Sequence, residues 1–278
     1  MTTSYTQILV HLDAGRRITE AVMCGRRLAQ EQGAALAALD VTRPALVSVP
    51  VVGELGALTG AALADLDAQR RKAVRTTFDA AMSGPGPAAQ FGEICELQMA
   101  GAFAQQALYA DLLVLSQPHP DLGPGEAPRD FNELVLAASG KPALILPAVG
   151  PLPQAFATLA IAWKPTRETA HAVAGAMPLL QRAAQVHVVT WGPDEDEDEG
   201  GVLDLDRYLN LYGVTARWHR RGEEPGDLGE LLLSQAFDLG ADLLVMGCYG
   251  HGRAREWMLG GVSRTVLRSM TLPVLMAH

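Results

Sequence analysis

Three glycines near the end of the chain have the spacing of a phosphate-binding turn. They are Gly247, Gly250 and Gly260, in the pattern Gly-x2-Gly-x9-Gly. The apolar run at 243–246 predicts a short buried strand before them, and apolar residues recur at helical spacing after Arg253. A turn between a strand and a helix presents backbone N–H groups at the positive end of the helix, which suits an anion. The residues therefore predict an anion site where this strand ends.

Two other phosphate motifs do not fit this stretch. A P-loop requires Gly-x4-Gly-Lys followed by Ser or Thr, and the chain contains no such string. A dinucleotide fingerprint would need a glycine three residues after Gly252, where Arg255 stands. The glycines could also serve only the packing of a tight strand-to-helix turn, and this alternative stays open.

An internal repeat sets the organisation of the chain. The segment Ala110–Val114 (ADLLV) returns as Ala241–Val245, 131 residues later. Near the start of each half, Ile8–Val22 matches Leu159–Val173 at an offset of 151 residues. The offset falls from 151 residues near the start of the halves to 131 near their ends, so the second copy is shorter in its middle. The repeat predicts two domains, 1–148 and 154–278, joined by a linker rich in proline.

Each half reads as alternating strands and helices, with five strands apiece. Strands rich in Val, Ile and Leu between amphipathic helices predict an α/β fold, whose mainly parallel sheet carries helices on both faces. In such sheets, ligands bind at the carboxyl ends of strands. The predicted elements include a loop at 43–60, a helix at 61–81, a strand at 214–218 and a helix at 253–269.

With the strands on either side of the glycines, 241–278 resembles the nucleotide-binding region of the universal stress protein family. That family's signature is Gly-x2-Gly-x9-Gly followed by Ser or Thr, and it lies on the triphosphate of ATP. Here Gly261 stands in place of the hydroxyl residue, and Ser263 lies two positions further on. Over the whole chain, the order of elements resembles two such domains in tandem. The resemblance implies two Rossmann-like (adenine nucleotide alpha hydrolase-like) domains, each with a five-stranded, mainly parallel sheet.

The resemblance also implies a binding site, a ligand and a role. The ligand would be ATP or a related phosphate ligand, with Mg²⁺, in the second domain only, and the role would be a regulatory one in the stress response. A slow ATPase is the most catalysis it implies, and His251 is the one candidate base at the turn. The alternative, from another class, is an interaction scaffold of the same fold without nucleotide. The implied binding residues are Gly247, Gly250, His251, Gly252, Arg253, Gly260, Gly261, Val262 and Ser263.

Each half retains one element of the family's site and lacks another. At the offset of 131, the three glycines become Ser116, His119 and Arg129, so the glycine loop of the first domain is degenerate. ATP-binding members commonly carry an acidic residue at the end of the first strand. Asp13 matches that position in the first half, whereas Lys164 takes it in the second. A lysine cannot accept a hydrogen bond from a ribose hydroxyl, but it could neutralise a phosphate.

Composition excludes several classes of function. The net charge of −9 argues against a general binder of nucleic acid, and no apolar run approaches the ~18–20 residues of a membrane span. Cys24, Cys95 and Cys248 form no metal-binding pair, so we expect a reduced, cytoplasmic protein without a metal site. Cys248, inside the turn, is interpreted as a small filler rather than a reactive thiol. The acidic run at 194–199 is interpreted as a solvated loop.

Assembly can be predicted from the last strand of each half, at 143–146 and 274–276. Both strands are short and apolar. In the family, such edge strands pair across a two-fold axis, which protects them from other partners. The resemblance therefore implies an intramolecular pseudo-dimer of the two domains, and it leaves a further homodimer open.

Overall fold

The structure is a computed structural model that describes residues 2–15, 17–44, 54–118, 127–191, 202–222, 226–248 and 261–278. The chain divides into two compact units. The first is Tyr5–Gly140, and the second combines Met1–Ser4 with Lys141–His278.

The first unit is a parallel sheet with helices between its strands. Its sheet has the order β3-β2-β1-β4, in which β1 pairs in parallel with β2 and β4, and β2 pairs in parallel with β3. The elements are β1 (Gln7–His11), α1 (Ile18–Gln32), β2 (Ala35–Thr42), α2 (Glu54–Ala81), β3 (Ala89–Cys95), α3 (Met99–Ala107), β4 (Leu112–Ser116) and α4 (Phe131–Ser139).

The second unit has the same alternation and one antiparallel strand. Its sheet has the order β5-β10-β9-β6-β7-β8, and β5 alone runs antiparallel to its neighbour there, β10. The elements are β5 (Ala143–Leu146), β6 (Thr158–Ala162), α5 (Arg167–Leu180), β7 (Gln185–Trp191), α6 (Leu205–Leu211), β8 (Ala216–Arg221), α7 (Leu228–Asp238), β9 (Leu243–Gly247), α8 (Gly261–Ser269) and β10 (Val274–Ala277).

Helices cover both faces of the first sheet, as consecutive residues of β1 show. A Cβ added at Gly25 of α1 would lie 2.5 Å from the Val10 side chain, so α1 packs on that face. His11 points to the opposite face, where its ring stacks on Phe131 of α4 at 4.3 Å and meets Phe103 of α3 edge-on. Of the helices that the structure describes, none combines the length and apolarity needed to cross a bilayer.

The α/β prediction is confirmed, and the described residues of each half of the sequence form five strands. The expected pairing of the two terminal strands is also present. Ile145 of β5 lies opposite Val274 of β10, and every residue of both strands is buried. Two short apolar strands thus cover each other's edges, and β5 is grouped with the second unit although it closes the first half of the sequence.

Two element boundaries predicted from the sequence are wrong. The loop predicted at 43–60 ends by Glu54, where α2 begins, because the sequence ELGALTGAALADL is dominated by strong helix formers. The strand predicted to end at Trp218 continues to Arg221, since Arg220 and Arg221 pair with the last two residues of β7. An outer strand tolerates these charged residues because one of its edges faces solvent.

Candidate functional site

The carboxyl end of β9 meets the ends of its two neighbouring strands. Gly247, its last residue, pairs with Ala277 of β10, and Met246 pairs with Ala162 of β6. Lys164 therefore follows the end of β6 near the level at which β9 stops, and its side chain is exposed. Because β10 runs parallel to β9, α8 is the crossover helix between them, and its N-terminus lies towards this edge.

Gly247 has a packing reason that does not depend on a ligand. A Cβ at this position would lie 2.5 Å from the backbone N of Thr169 and 2.7 Å from the backbone C of Glu168. Real Cβ atoms essentially never approach that closely. Gly247 thus lets the first turn of α5 lie directly against β9. For this one glycine, the structure supplies a packing role of the kind that the alternative interpretation of the motif proposed.

The N-terminus of α5 is already capped by its own side chains. The Thr166 hydroxyl accepts a hydrogen bond from the backbone N–H of Thr169 at 3.3 Å. A backbone N–H donates to the Glu168 carboxylate and holds its pKa below the ordinary value, with further help from Arg167 at 2.8 Å. Since a carboxylate occupies this helix end, an anion would be repelled from it. The other helix end at this edge is that of α8, whose first residue, Gly261, is exposed.

Gly261 and Ser263 differ in what they offer at the start of α8. Gly261 is exposed, and a Cβ built there would meet nothing within 4 Å, so packing does not require a glycine. Ser263 is buried, and Val262 is half-buried. The first residue of α8 therefore presents its backbone to the surroundings, while Ser263 faces the interior.

Cys248 is built into the core rather than into a reactive site. Its side chain is fully buried, and its thiol donates to the backbone oxygen of Ala277 at 3.2 Å. Burial raises the pKa of the thiol well above its ordinary value, and the nearby Glu168 carboxylate adds to the effect. The thiol is therefore protonated at neutral pH, which agrees with its interpretation as a filler.

Several residues named from the sequence lie outside the described residues. These are the remaining members of the turn and the two other features singled out above: Gly250, His251, Gly252, Arg253, Gly260, His119 and the acidic run 194–199. Of the proposed binding residues, the structure brings Gly247 and 261–263 to the two ends of the β9–α8 connection. Within the described ranges, no three histidine, cysteine or carboxylate side chains form a group that could hold a metal ion.

At the corresponding edge of the first unit, described residues make hydrogen bonds within the chain. An oxygen of Asp13, the acidic residue after β1, accepts from the backbone N–H of Ala127 at 3.0 Å. The backbone oxygen of Ser116, which ends β4, accepts from the Asn132 side chain at 2.9 Å. These contacts tie one oxygen of Asp13 and the end of β4 to other segments of the first unit.

Sequence reasoning missed one polar pair in the first unit. Asp40 lies in β2 and accepts a hydrogen bond at 2.9 Å from Arg70 of α2. The signal was present, because Asp40 is the one acidic residue in the otherwise apolar string ALAALDVT. A lone charged residue in a buried strand normally has a partner, but the sequence does not say which arginine supplies it.

The fold and this edge define a doubly wound α/β protein with a candidate ligand site at the carboxyl end of β9. Residues 161–278 match the model of the Universal stress protein family. A search of curated proteins found no match.

Solved structures extend the likeness to the whole chain at the level of the fold. A universal stress protein from Archaeoglobus fulgidus DSM 4304 has a TM-score of 0.68 at 14% identity, covering 98% of this chain and 95% of its own. A functionally unknown protein from Pseudomonas aeruginosa PAO1 has a TM-score of 0.61 at 18% identity, covering 98% and 92%. A putative universal stress protein from Pseudomonas aeruginosa UCBPP-PA14 has a TM-score of 0.59 at 18% identity, covering 98% and 93%. The chain thus shares the α/β fold of these structures over nearly its whole length.

Proposed function

We propose that this chain is a cytoplasmic stress-response regulatory protein whose second unit binds ATP or a related phosphate ligand. The observation that carries the proposal is the exposed first residue of α8, Gly261, on the connection that leaves the carboxyl end of β9. Backbone N–H groups at such a helix end attract the negative charge of a phosphate. The first unit lacks the three glycines of the motif, so we assign the nucleotide to the second unit alone.

In this proposal, the turn residues supply donors and charge. Gly250, Gly252 and Gly260 would contribute backbone N–H groups, and Arg253 and His251 would contribute positive charge. Lys164 is exposed near the same edge and would neutralise a phosphate in place of the family's acidic residue. Mg²⁺ would be brought with the nucleotide, since it usually binds through substrate phosphates and a few carboxylates.

An interaction scaffold without nucleotide is the second candidate. Two departures from the family pattern favour it: Lys164 cannot accept from ribose, and Gly261 replaces the hydroxyl residue. In that case, the unit would act through protein partners, and the glycine turn would serve packing.

A pair of substitutions at Gly261 tests the proposal. Gly261→Pro removes one backbone N–H at the first helical position, where proline is well tolerated, whereas Gly261→Ala keeps that donor. Neither side chain meets an atom within 4 Å at Cβ. ATP with Mg²⁺ is titrated calorimetrically into each full-length protein, and thermal unfolding verifies that the fold is retained.

We expect Gly261→Ala to bind as wild type does and Gly261→Pro to bind more weakly. Lys164→Glu provides a second variant, remote from α8 in sequence, and should also weaken binding by placing a carboxylate near the phosphates. Absence of ATP binding to the wild-type protein, together with no nucleotide released when it is denatured, would refute the proposal and favour the scaffold.

A further inference from the structure

A cavity of about 570 Å³ lies in the first unit, at the amino end of β3. This volume is within the roughly 300–1,000 Å³ of sites that take small organic ligands. Ala88 and Ala89 line it at the start of β3, whereas the glycine motif begins at the carboxyl end of β9 in the second unit. The cavity is therefore separate from the site proposed for ATP, and its test does not depend on ATP binding.

Arg26 of α1 is fixed in the wall of this cavity by the turn that precedes β3. Its guanidinium donates hydrogen bonds to three backbone oxygens, those of Ser83 at 3.0 Å, Gly84 at 2.8 Å and Pro87 at 3.3 Å. Gly86 has a φ of +140°, and a Cβ there would lie 3.0 Å from Nε of Arg26. Glycine at this position lets the turn lie against the guanidinium, so the charge has a defined place.

The positive charge of Arg26 has no countercharge among the described residues. Its hydrogen bonds there all go to carbonyl oxygens, and no carboxylate forms an ion pair with it. A guanidinium has five N–H donors, so two of them have no partner within the described part of the chain. A carbonyl oxygen satisfies a donor but carries no net charge, so an anion can still neutralise Arg26.

The second arginine of the wall is already paired. Nε of Arg75 lies 3.0 Å from each carboxylate oxygen of Asp79, one turn further along α2. Its guanidinium also covers the Phe91 ring, with Cζ 4.5 Å from the ring centroid. The lining thus contains two arginines and one aspartate, a net charge of +1 that comes from Arg26.

Apolar side chains form the wall next to these charges. The rings of Phe78 and Phe91 contact each other with centroids 5.0 Å apart, and Met82, Ala88 and Ala89 complete the apolar part. Met82 and Phe91 are half-buried, so each keeps surface that a ligand can cover. Aromatic and thioether groups both pack favourably against a flat ring.

We propose that this cavity binds an organic monoanion in which a carboxylate is attached to a flat apolar ring. The carboxylate would accept from the two remaining donors of Arg26, and the ring would pack on Met82 and Phe91. One negative charge fits best, because Asp79 already neutralises Arg75 and a second anionic group would have no cation to meet. A cationic ligand would be repelled by Arg26, and a neutral one would leave its charge without a countercharge.

The test uses three planar probes of nearly the same shape. Benzoate represents the anionic class, benzamide the neutral class and benzamidine the cationic class, while acetate shows what the ring contributes. Binding to the full-length protein is measured by saturation-transfer NMR titration at pH 7.5. Ala88→Glu places a carboxylate at an exposed position of the cavity wall, and Ala68→Glu places the same side chain at an exposed position of α2 outside the lining.

We expect benzoate to bind to the wild type about fivefold more tightly than benzamide, since charged hydrogen bonds are stronger than neutral ones. Benzoate should bind equally well to Ala68→Glu and at least about fivefold more weakly to Ala88→Glu, whose added charge repels it. Arg26→Gln should remove the preference for benzoate over benzamide. Thermal unfolding verifies that each variant is folded, and Ala88→Glu leaves the side chain of Arg26 in place if Arg26→Gln is unstable.

Three results would overturn the proposal and leave Arg26 only the role of holding the turn before β3. They are no benzoate signal with the wild type, a wild-type preference for benzamide or benzamidine, and equal benzoate affinity in the two glutamate variants. Acetate binding as tightly as benzoate would overturn the assignment of an apolar ring.

Discussion

Replacing Gly247 by alanine should destabilise the second unit without any ligand being involved. The new Cβ would lie 2.5 Å from the Thr169 backbone N, whereas ordinary van der Waals contact is 3.4–4 Å. The nearest atoms are backbone atoms of the first turn of α5, so no side chain can rotate to make room. Either β9 or α5 must move by about 1 Å, although Gly247 is paired with Ala277 of β10 and the preceding Met246 with Ala162 of β6.

The loss of unfolding free energy caused by Gly247→Ala can be estimated from other proteins with overpacked cores. Adding a methyl group to a tightly packed site typically costs 1–3 kcal/mol, and rigid neighbours favour the upper end, about 3 kcal/mol. With a urea m-value of about 1.5 kcal/mol per M, this lowers the unfolding midpoint by about 2 M.

Tryptophan fluorescence isolates the relevant unit, because all four tryptophans of the chain lie beyond residue 141. Urea unfolding of wild type and Gly247→Ala should be compared with that of Gly261→Ala. The control introduces the same methyl group where nothing lies within 4 Å of Cβ, and we expect its midpoint to stay within about 0.5 M of wild type.

A Gly247→Ala midpoint equal to that of the wild type would refute the packing argument and return Gly247 to a purely ligand-binding role. If the argument holds, loss of ATP binding in a Gly247 variant cannot be interpreted as loss of a phosphate contact. For this reason, Gly261 is the better position at which to test the site.

Three further predictions concern titratable groups. The pKa of Asp40, raised to about 6, means that its contribution to stability is complete below pH 4 and is lost as pH rises through 6. Asp40→Asn should therefore remove about 3 kcal/mol of pH dependence, measurable by urea unfolding followed by circular dichroism at pH 4 and 7.5. Burial lowers the pKa of His11 to about 3, so its imidazole nitrogen shifts should remain those of the neutral ring at pH 5. A protonated ring at that pH would contradict the burial of His11 away from water. Cys248 should resist iodoacetamide in the folded protein, whereas the exposed Cys95 should react, and mass spectrometry of the alkylated peptides distinguishes them; early modification of Cys248 would show that β9 and β10 separate readily.

The sequence predicted the fold well because the signals that define it are local and repeated. Apolar strands and amphipathic helices alternate twice, and the offset of 131 residues places equivalent strands in equivalent positions. The pairing of β5 with β10 also followed, since two short apolar strands must cover their edges. The predicted boundaries of the elements were less accurate. Proline and glycine residues at 43–60 predicted a loop there, but strong helix formers in the same stretch start α2 at Glu54.

The candidate site was predicted less completely, because its residues act through contacts between distant segments. Glycine spacing identified the edge at Gly247, but only the fold showed that the first turn of α5 lies against it. In the same way, Asp40 was visible as a charge in an apolar strand, yet its partner is 30 residues away on α2. By itself, the sequence determined the class of fold, the repeat and the position of the glycine motif, since periodicity and spacing are properties of the chain. The tertiary structure decided which glycine serves packing, which helix end is capped and where buried charges meet, because those depend on which side chains folding brings together.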